Sequence, residues 1–171
     1  MAEAPIEVAP YDARWQKAWE AANSFAMAEA LGPWLAGPPE HIGSTAVPGL
    51  AAKPVIDIMA PVHTLAASRP AIEAARELGY VHYPYKPDVM HWFCKPSAAH
   101  RTHHLHLVPL GSPLWRERLA FRDALRADPE LRASYQALKL DLAQRHRLVR
   151  EAYTDAKTPF IEQVLRQAAR P

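Results

Sequence analysis

One stretch, from Glu40 to Pro61, constrains the fold of this chain more than any other. Its sequence, EHIGSTAVPGLAAKPVIDIMAP, predicts a short strand, a small polar turn, a loop punctuated by proline and glycine, and a second, strongly apolar strand. The second strand contains one carboxylate, Asp57. Because a carboxylate inside an apolar strand costs free energy unless it is hydrated or paired, Asp57 needs a structural or a chemical reason.

The alternation of side chains along a strand separates Asp57 from the predicted core. Asp57 and Met59 share one face with Val55. Three apolar residues share the other face and are predicted to be core: Ile56, Ile58 and Ala60. On its own face, Asp57 either lines an open cleft or accepts backbone N–H bonds from the preceding turn, and residue type alone favours neither interpretation.

The composition excludes several classes of protein. The 171 residues include 20 Lys and Arg against 18 Asp and Glu, a net charge of +2, which argues against a nucleic-acid surface built on bulk charge. The single cysteine, Cys94, excludes an internal disulfide framework and fits a reducing compartment. The opening MAEAPIEVAP lacks the apolar run of a signal peptide, and no apolar segment approaches the ~20 residues of a membrane span. We therefore expect one cytoplasmic domain over residues 1–171.

The order of elements predicts an α+β fold in which a small mixed sheet is flanked by an N-terminal helix and a C-terminal helical bundle. The sheet part with its N-terminal helix covers about 8–110, and the helical part about 111–171. The predicted helices run from Asp12 to about Ala36, from Thr64 or Ser68 to Gly79, and from Ser112, Asp128, about Leu148 and Thr158 onward. The predicted strands are His41 and Ile42, then 55–60, 80–83, 90–95 and 101–110.

The segment RTHHLHLVPL contains a second candidate group. On a strand, His104 and His106 project side by side and could bind one metal ion or hold a phosphate when protonated. If this strand lies beside that of Asp57, the site has one carboxylate and two imidazoles, a set that prefers manganese, iron or zinc over magnesium. The alternative is that both are cleft histidines hydrogen-bonded to their neighbours.

The same region offers groups for phosphate binding. The turn Gly43, Ser44 and Thr45 provides backbone donors and hydroxyls, and Lys53 is a candidate charge partner. Lys139 lies at the edge of an apolar helix stripe, from which it could reach a phosphate across a cleft. Most other charged residues of the helical third, Lys157 among them, are predicted to form a solvated face.

Four segments carry a resemblance to a known family: HIGSTAVPGLAAKPVIDI, RTHHLHLVP, LAFRDALRADPELRASYQALK and the final pair Tyr153 and Lys157. Together they resemble the GrpB family, which is placed in the nucleotidyltransferase superfamily. The resemblance implies a small mixed sheet with a Gly-Ser motif on its first strand and an acidic motif on its second. It also implies a link to nucleotide or cofactor metabolism, because members occur fused to dephospho-CoA kinase domains.

The chain departs from the superfamily pattern at the second carboxylate. Active nucleotidyltransferases resemble a scheme of two carboxylates alternating on one strand and a third on a later strand, which together hold two metal ions. Asp57 fills the first position, but Met59 stands at the second, and its thioether is not a magnesium ligand. The third falls near His104 and His106, so one metal ion, or none, is the expectation.

We therefore expect a nucleotidyltransferase-like protein that binds a nucleotide or another phosphorylated small molecule. In its enzymatic form, Asp57 is the catalytic residue and holds one divalent ion, manganese, zinc or magnesium, together with His104 and His106. The phosphates lie against Gly43, Ser44, Thr45, Lys53 and Lys139. Two alternatives remain: a non-catalytic module of the same fold that binds a nucleotide or a partner, and a metal-dependent hydrolase that uses the two histidines.

Overall fold

The computed structural model describes residues 5–169, which form seven α-helices and five β-strands. The helices are α1 Arg14–Ala22, α2 Phe25–Leu31, α3 Ala71–Glu77, α4 Pro113–Ala127, α5 Pro129–Arg145, α6 Arg150–Ala156 and α7 Thr158–Ala168. The strands are β1 Glu40–Ile42, β2 Ile56–Val62, β3 Val81–Tyr83, β4 His91–Pro96 and β5 Arg101–Pro109. The predicted α+β fold is therefore confirmed.

The five strands form one mixed sheet in the order β1-β2-β5-β4-β3. Strand β2 pairs in parallel with β5, whereas the other three pairings are antiparallel. In the parallel pair, Asp57 lies opposite His104 and Met59 lies opposite His106. The two segments that the sequence singled out are thus neighbours at the centre of the sheet.

Each face of the sheet packs against different helices. The face that carries Ile56, Ile58 and Ala60 packs against Trp15 of α1, Met27 and Leu31 of α2 and Ala71 and Ala75 of α3. All three strand residues are buried, as predicted. Apolar residues of α4, namely Leu114, Trp115 and Leu119, pack on the opposite face, which carries Asp57. The candidate site lies on that second face.

The prediction of one helix from Asp12 to about Ala36 is wrong. The chain leaves the helical conformation at Asn23, with ψ of 50°, and Ser24 is extended, so two shorter helices form in its place. Both side-chain types compete with helical hydrogen bonds. Beyond the break the predicted stripe is also out of register, since Met27 and Leu31 are buried, whereas Ala26 is exposed and Phe25 is 82% exposed.

Helices α4 and α5 begin where capping residues predict. Ser112 accepts a hydrogen bond from the Trp115 amide at the start of α4, and Asp128 accepts from the amides of Glu130 and Leu131 at the start of α5. In both helices the next residue is proline. Within residues 5–169, none of the helices has both the length and the apolar character needed to cross a membrane.

Candidate functional site

The structure brings Asp57, His104 and His106 together on one face of the sheet. The Asp57 Oδ1 atom lies 2.9 Å from His104 Nδ1 and 3.2 Å from His106 Nε2. The exposed fraction of the side chain is 26% for Asp57, 16% for His104 and 9% for His106. The carboxylate is therefore half-buried and reachable from solvent, with the two imidazoles beside it.

The two histidines stabilise the charge on Asp57. Burial alone would raise the pKa of this carboxyl, but the charges and hydrogen bonds of His104 and His106 lower the pKa of Asp57 by more, so it lies below its ordinary value. Burial lowers the pKa of His106, and the Asp57 carboxylate opposes this only in part. The pair is thus an ionised carboxylate beside an imidazole that tends to stay neutral, which is the protonation state of a metal-binding set.

The donor set fits one divalent ion in type and in spacing. Asp57, His104 and His106 each offer one ligand atom, and these atoms lie within 4.8 Å of one another. One oxygen and two imidazole nitrogens suit manganese, iron or zinc. Most metal-bound histidines donate a hydrogen bond from the second ring nitrogen, and this bond orients the ring. His104 lacks such a bond, because its Nε2 atom is buried and has no hydrogen-bond partner within residues 5–169.

Met59 does not take part in this set. It shares the face of Asp57 but is fully buried, in a cluster with Ile42, Met90, Trp92 and Val108 that α4 covers. A carboxylate at this position would be buried among apolar side chains at a high free-energy cost. The second acidic position of the superfamily scheme is therefore part of the core here.

The turn after β1 approaches Asp57 closely. Gly43 has φ of 72° and ψ of −176°, a backbone conformation that is essentially restricted to glycine. A Cβ atom at Gly43 would lie 2.6 Å from Asp57 Oδ2. The glycine is thus required both by the backbone conformation and by the nearness of the carboxylate.

The two hydroxyls of the turn point to different surroundings. Ser44 Oγ accepts a hydrogen bond from Lys139 Nζ at 2.9 Å. Thr45 is buried, and its hydroxyl donates to the Val55 carbonyl at 3.2 Å and lies 3.1 Å from His41 Nε2. Ser44 therefore faces the lysine side of the site, whereas Thr45 has its hydroxyl engaged in the interior.

Three lysines gather beside this turn, and we call them the lysine cluster: Lys53, Lys139 and Lys157. The ammonium groups of Lys53 and Lys157 lie 5.0 and 4.3 Å from the centre of the Tyr153 ring. Lys139 is almost fully buried in α5 and also donates to the Ala51 carbonyl. Both lysines that the sequence proposed for phosphate binding thus belong to one cluster with Lys157.

Burial and neighbouring positive charge perturb two members of the cluster, Lys139 and Lys157. Burial, followed by the charges of Lys157 and Lys53, lowers the pKa of Lys139 to about 7. Burial and the charge of Lys53 likewise lower the pKa of Lys157 to about 7, although Asp57 partly opposes this. Within residues 5–169, neither Lys139 nor Lys157 has a carboxylate oxygen within 4.0 Å of its ammonium nitrogen.

From the sequence, Tyr153 and Lys157 contributed only to the family resemblance, and neither was predicted to have a role in the site. Charged residues of the helical third were expected to be a solvated face, but Lys157 follows α6 directly and is half-buried beside the site. Its spacing of four residues from the buried Tyr153 was a usable signal, because i and i+4 side chains meet on a helix. Arg118 of α4 also acts on the site, since its charge lowers the pKa of Lys157 and of His106.

Known proteins resemble the chain over most of its length. A family model described as GrpB protein matches residues 5–167. A UPF0157 protein from Pseudomonas aeruginosa is 37% identical over 95% of this chain and 67% of that protein. A dephospho-CoA kinase from Mycolicibacterium paratuberculosis is 31% identical over 98% of this chain, which spans 47% of that enzyme.

A solved structure shares the fold. The crystal structure of the conserved protein GrpB from Enterococcus faecalis superposes with a TM-score of 0.83 at 30% identity, over 95% of this chain and 96% of that one. The sequence match and the structural match cover the sheet, the lysine cluster and the C-terminal helices alike. This chain belongs to the GrpB family.

Proposed function

We propose that the protein binds a nucleotide or another phosphorylated small molecule on the face of the sheet that carries Asp57, between the lysine cluster and Asp57. The observation that carries this proposal is the lysine cluster itself. Three lysine side chains converge beside Gly43 and Ser44, and the pKa values of two of them are about 7, because they are buried and are repelled by neighbouring positive charges. An anion with several negative oxygens would remove this repulsion, and a phosphate chain is such an anion.

The neighbouring carboxylate and imidazoles give the ligand a second anchor. In the proposed complex, Asp57, His104 and His106 hold one divalent ion beside the phosphates, where the ion would neutralise phosphate charge. Both groups lie at the same turn, because Gly43 touches Asp57 and Ser44 touches Lys139. Lysine cluster and metal set would therefore bind one ligand and not two.

One observation favours binding over transfer. Met59 is buried where a second carboxylate would be needed to bridge two metal ions. A separate observation, the similarity to a dephospho-CoA kinase, supports a nucleotide-related ligand. The two candidate forms are therefore a non-catalytic binding module and an enzyme in which Asp57 acts in nucleotidyl transfer.

Calorimetry of ATP binding in the presence of Mn²⁺ tests the proposal. We expect Lys139→Met to weaken binding roughly 10- to 100-fold, the usual effect of losing a charge-assisted hydrogen bond. Lys17→Met is the matched control, because Lys17 is exposed on α1 at the opposite face and carries the same charge. The proposal is wrong if ATP does not bind, or if the two variants bind it equally well.

Product analysis separates the enzyme from the binding module. Wild type and Asp57→Ala are incubated with nucleoside triphosphates and Mg²⁺, Mn²⁺ or Zn²⁺. Turnover that disappears in Asp57→Ala supports the transferase, and tight binding without any product supports the module. Metal analysis of protein purified without a histidine tag tests the ion separately, with about one equivalent expected in wild type and a loss in His104→Ala.

A further inference from the structure

An aromatic surface adjoins the proposed phosphate site on the side away from the lysine cluster. Three rings form it, and we call them the aromatic platform: Tyr83, Tyr85 and Trp92. The rings of Tyr83 and Tyr85 meet the Trp92 ring edge-on, at centroid distances of 6.0 and 5.9 Å. The platform reaches the metal set directly, since the Trp92 and His104 rings are 5.0 Å apart.

The strand register places both regions on one continuous face. From β2 outward, Met59 is opposite His106, His106 is opposite Trp92, and Trp92 is opposite Tyr83. Residues directly opposite one another on neighbouring strands share a face. With strands about 4.8 Å apart, Trp92 lies two strand spacings, or about 10 Å, from the strand that carries Asp57.

Across the sheet, the side chains are therefore first cationic, then potential metal ligands, and then aromatic. The lysine cluster adjoins the turn after β1, the carboxylate and imidazoles occupy β2 and β5, and the platform occupies β4, β3 and the loop after β3. A nucleotide has the same polarity, with phosphates at one end and a flat base at the other. A phosphorylated sugar would leave the aromatic end of this face without a partner.

Exposure and charge at the platform suit a base. Trp92 is buried in the cluster with Met59, whereas Tyr85 is 46% exposed. The Lys86 ammonium lies 5.4 Å from the centre of the Tyr85 ring, so the exposed ring has a cation beside it. The Arg101 guanidinium lies 5.3 Å from the centre of the Trp92 ring, so the platform is bordered by a planar cation. Aromatic rings and arginine planes are the groups on which bases stack.

Resting on the proposed phosphate site, we infer that the ligand is a nucleotide whose base stacks on the aromatic platform at Tyr85. The ribose then lies beside Asp57 and His104, between the phosphates and the base. Stacking does not require a particular base edge, so the interaction recognises the presence of a base more than its identity.

The experiment compares ATP with inorganic tripolyphosphate by calorimetry at one Mn²⁺ concentration. Tripolyphosphate carries at least as much negative charge as ATP, so electrostatics alone would not favour ATP. We expect ATP to bind roughly 5- to 100-fold more tightly. We expect Tyr85→Ala to remove most of this difference while leaving tripolyphosphate affinity unchanged, and Tyr85→Phe to retain it. Phe25→Ala, an exposed ring of α2 on the opposite side, is the control and should behave as wild type.

Each other outcome has a defined meaning. Equal affinity of wild type for ATP and tripolyphosphate overturns the base platform but leaves the phosphate site intact. A Tyr85→Ala variant that loses affinity for both ligands also overturns the inference, because Tyr85 would then act on the fold. Failure of both ligands to bind wild type refutes the proposed function, and the platform with it.

Discussion

At the scale of single residues, Gly43 decides how the turn after β1 meets Asp57. Its φ of 72° with an extended ψ is a conformation that essentially only glycine adopts. The Asp57 carboxylate also occupies the space that a Cβ atom would need. Gly79 also has a positive φ, of 83°, but nothing lies within 4 Å of its missing Cβ atom. Replacing Gly79 would therefore cost only the backbone strain, whereas replacing Gly43 would add a clash with Asp57 to that strain.

We expect Gly43→Ala to reduce the free energy of unfolding by about 2–3 kcal/mol and to weaken ATP binding, because it adds a clash with Asp57 to the backbone strain. Gly79→Ala should cost about 1–2 kcal/mol and leave binding unchanged. Chemical denaturation and calorimetry measure both effects. Equal effects of the two substitutions would show that the contact with Asp57 is unimportant.

Lys139 carries the clearest electrostatic cost in the described part of the chain. It is almost fully buried, and Lys157, Lys53 and the Tyr135 ring, 4.9 Å from its ammonium group, are its neighbours. Its pKa of about 7 in the folded state lies below the ordinary 10.5 of the unfolded chain. Between these two pH values, the unfolded chain holds a proton that the folded chain has released.

The free energy of unfolding of wild type minus that of Lys139→Met should therefore increase as the pH rises from about 7 toward 10. Stability increases with pH wherever the unfolded state binds more protons, by at most ~1.4 kcal/mol per pH unit for one group. Denaturation at a series of pH values tests this, with Lys17→Met expected to run parallel to wild type. Parallel curves for Lys139→Met and wild type would contradict the lowered pKa.

At the scale of elements, α4 and α5 are fastened to the sheet by named side chains. Arg122 of α4 donates to Glu40 Oε2 at 2.7 Å and to the His41 carbonyl at 3.1 Å, so the helix is held to β1. Gln136 of α5 accepts from the Ala51 amide at 2.8 Å, in the loop before β2. These contacts fix the position of α5, and with it the position of Lys139.

The start of α5 depends on Asp128, whose carboxylate accepts two amide hydrogen bonds. We expect Asp128→Ala to cost about 1 kcal/mol, which lowers the melting temperature by ~2–4 °C in a domain of this size. Asp141→Ala is the control, because it removes the same charge from an exposed ion pair with Arg145 and should cost little. Thermal unfolding that shows equal shifts for both variants would exclude the capping role.

At the scale of the whole molecule, the lysine cluster is assembled from three distant parts of the chain. Lys53 precedes β2, Lys139 belongs to α5, and Lys157 joins α6 to α7. Burial, together with neighbouring positive charges, lowers the pKa values of Lys139 and Lys157, so a bound polyanion should raise these pKa values again. Ligand binding is therefore linked to the uptake of protons.

We expect ATP binding at pH 8, without divalent ions, to take up protons, to a limit of about two, because Lys139 and Lys157 are then mostly neutral in the free protein. Calorimetry in two buffers of different ionisation enthalpy gives the number. Lys139→Met should take up fewer protons than wild type. Proton release, or an uptake that Lys139→Met leaves unchanged, would contradict the electrostatic model of the cluster.

The sequence alone determined most of the local elements and the candidate site residues on each strand. The period-two pattern placed Asp57 on the face opposite Ile56, Ile58 and Ala60, and RTHHLHLVP carried two imidazoles on one side of a strand, because both inferences depend only on neighbours along the chain. The break at Asn23 and Ser24 was not predicted, although both residue types compete with helical hydrogen bonds; beyond it, α2 packs against α3.

The tertiary structure decided which residues share a site. The parallel pairing of β2 with β5 brings His104 and His106 to Asp57 across more than 40 residues of sequence, and the antiparallel pairing of β4 with β5 puts Trp92 beside them. The burial that lowers the pKa of Lys139 also depends on segments far apart in sequence, since Lys139 donates to Ser44 and to the Ala51 carbonyl, more than 80 residues away. Strand order and burial are properties of the packed chain, so Lys157 and the aromatic platform became recognisable as candidate site groups only in the folded structure.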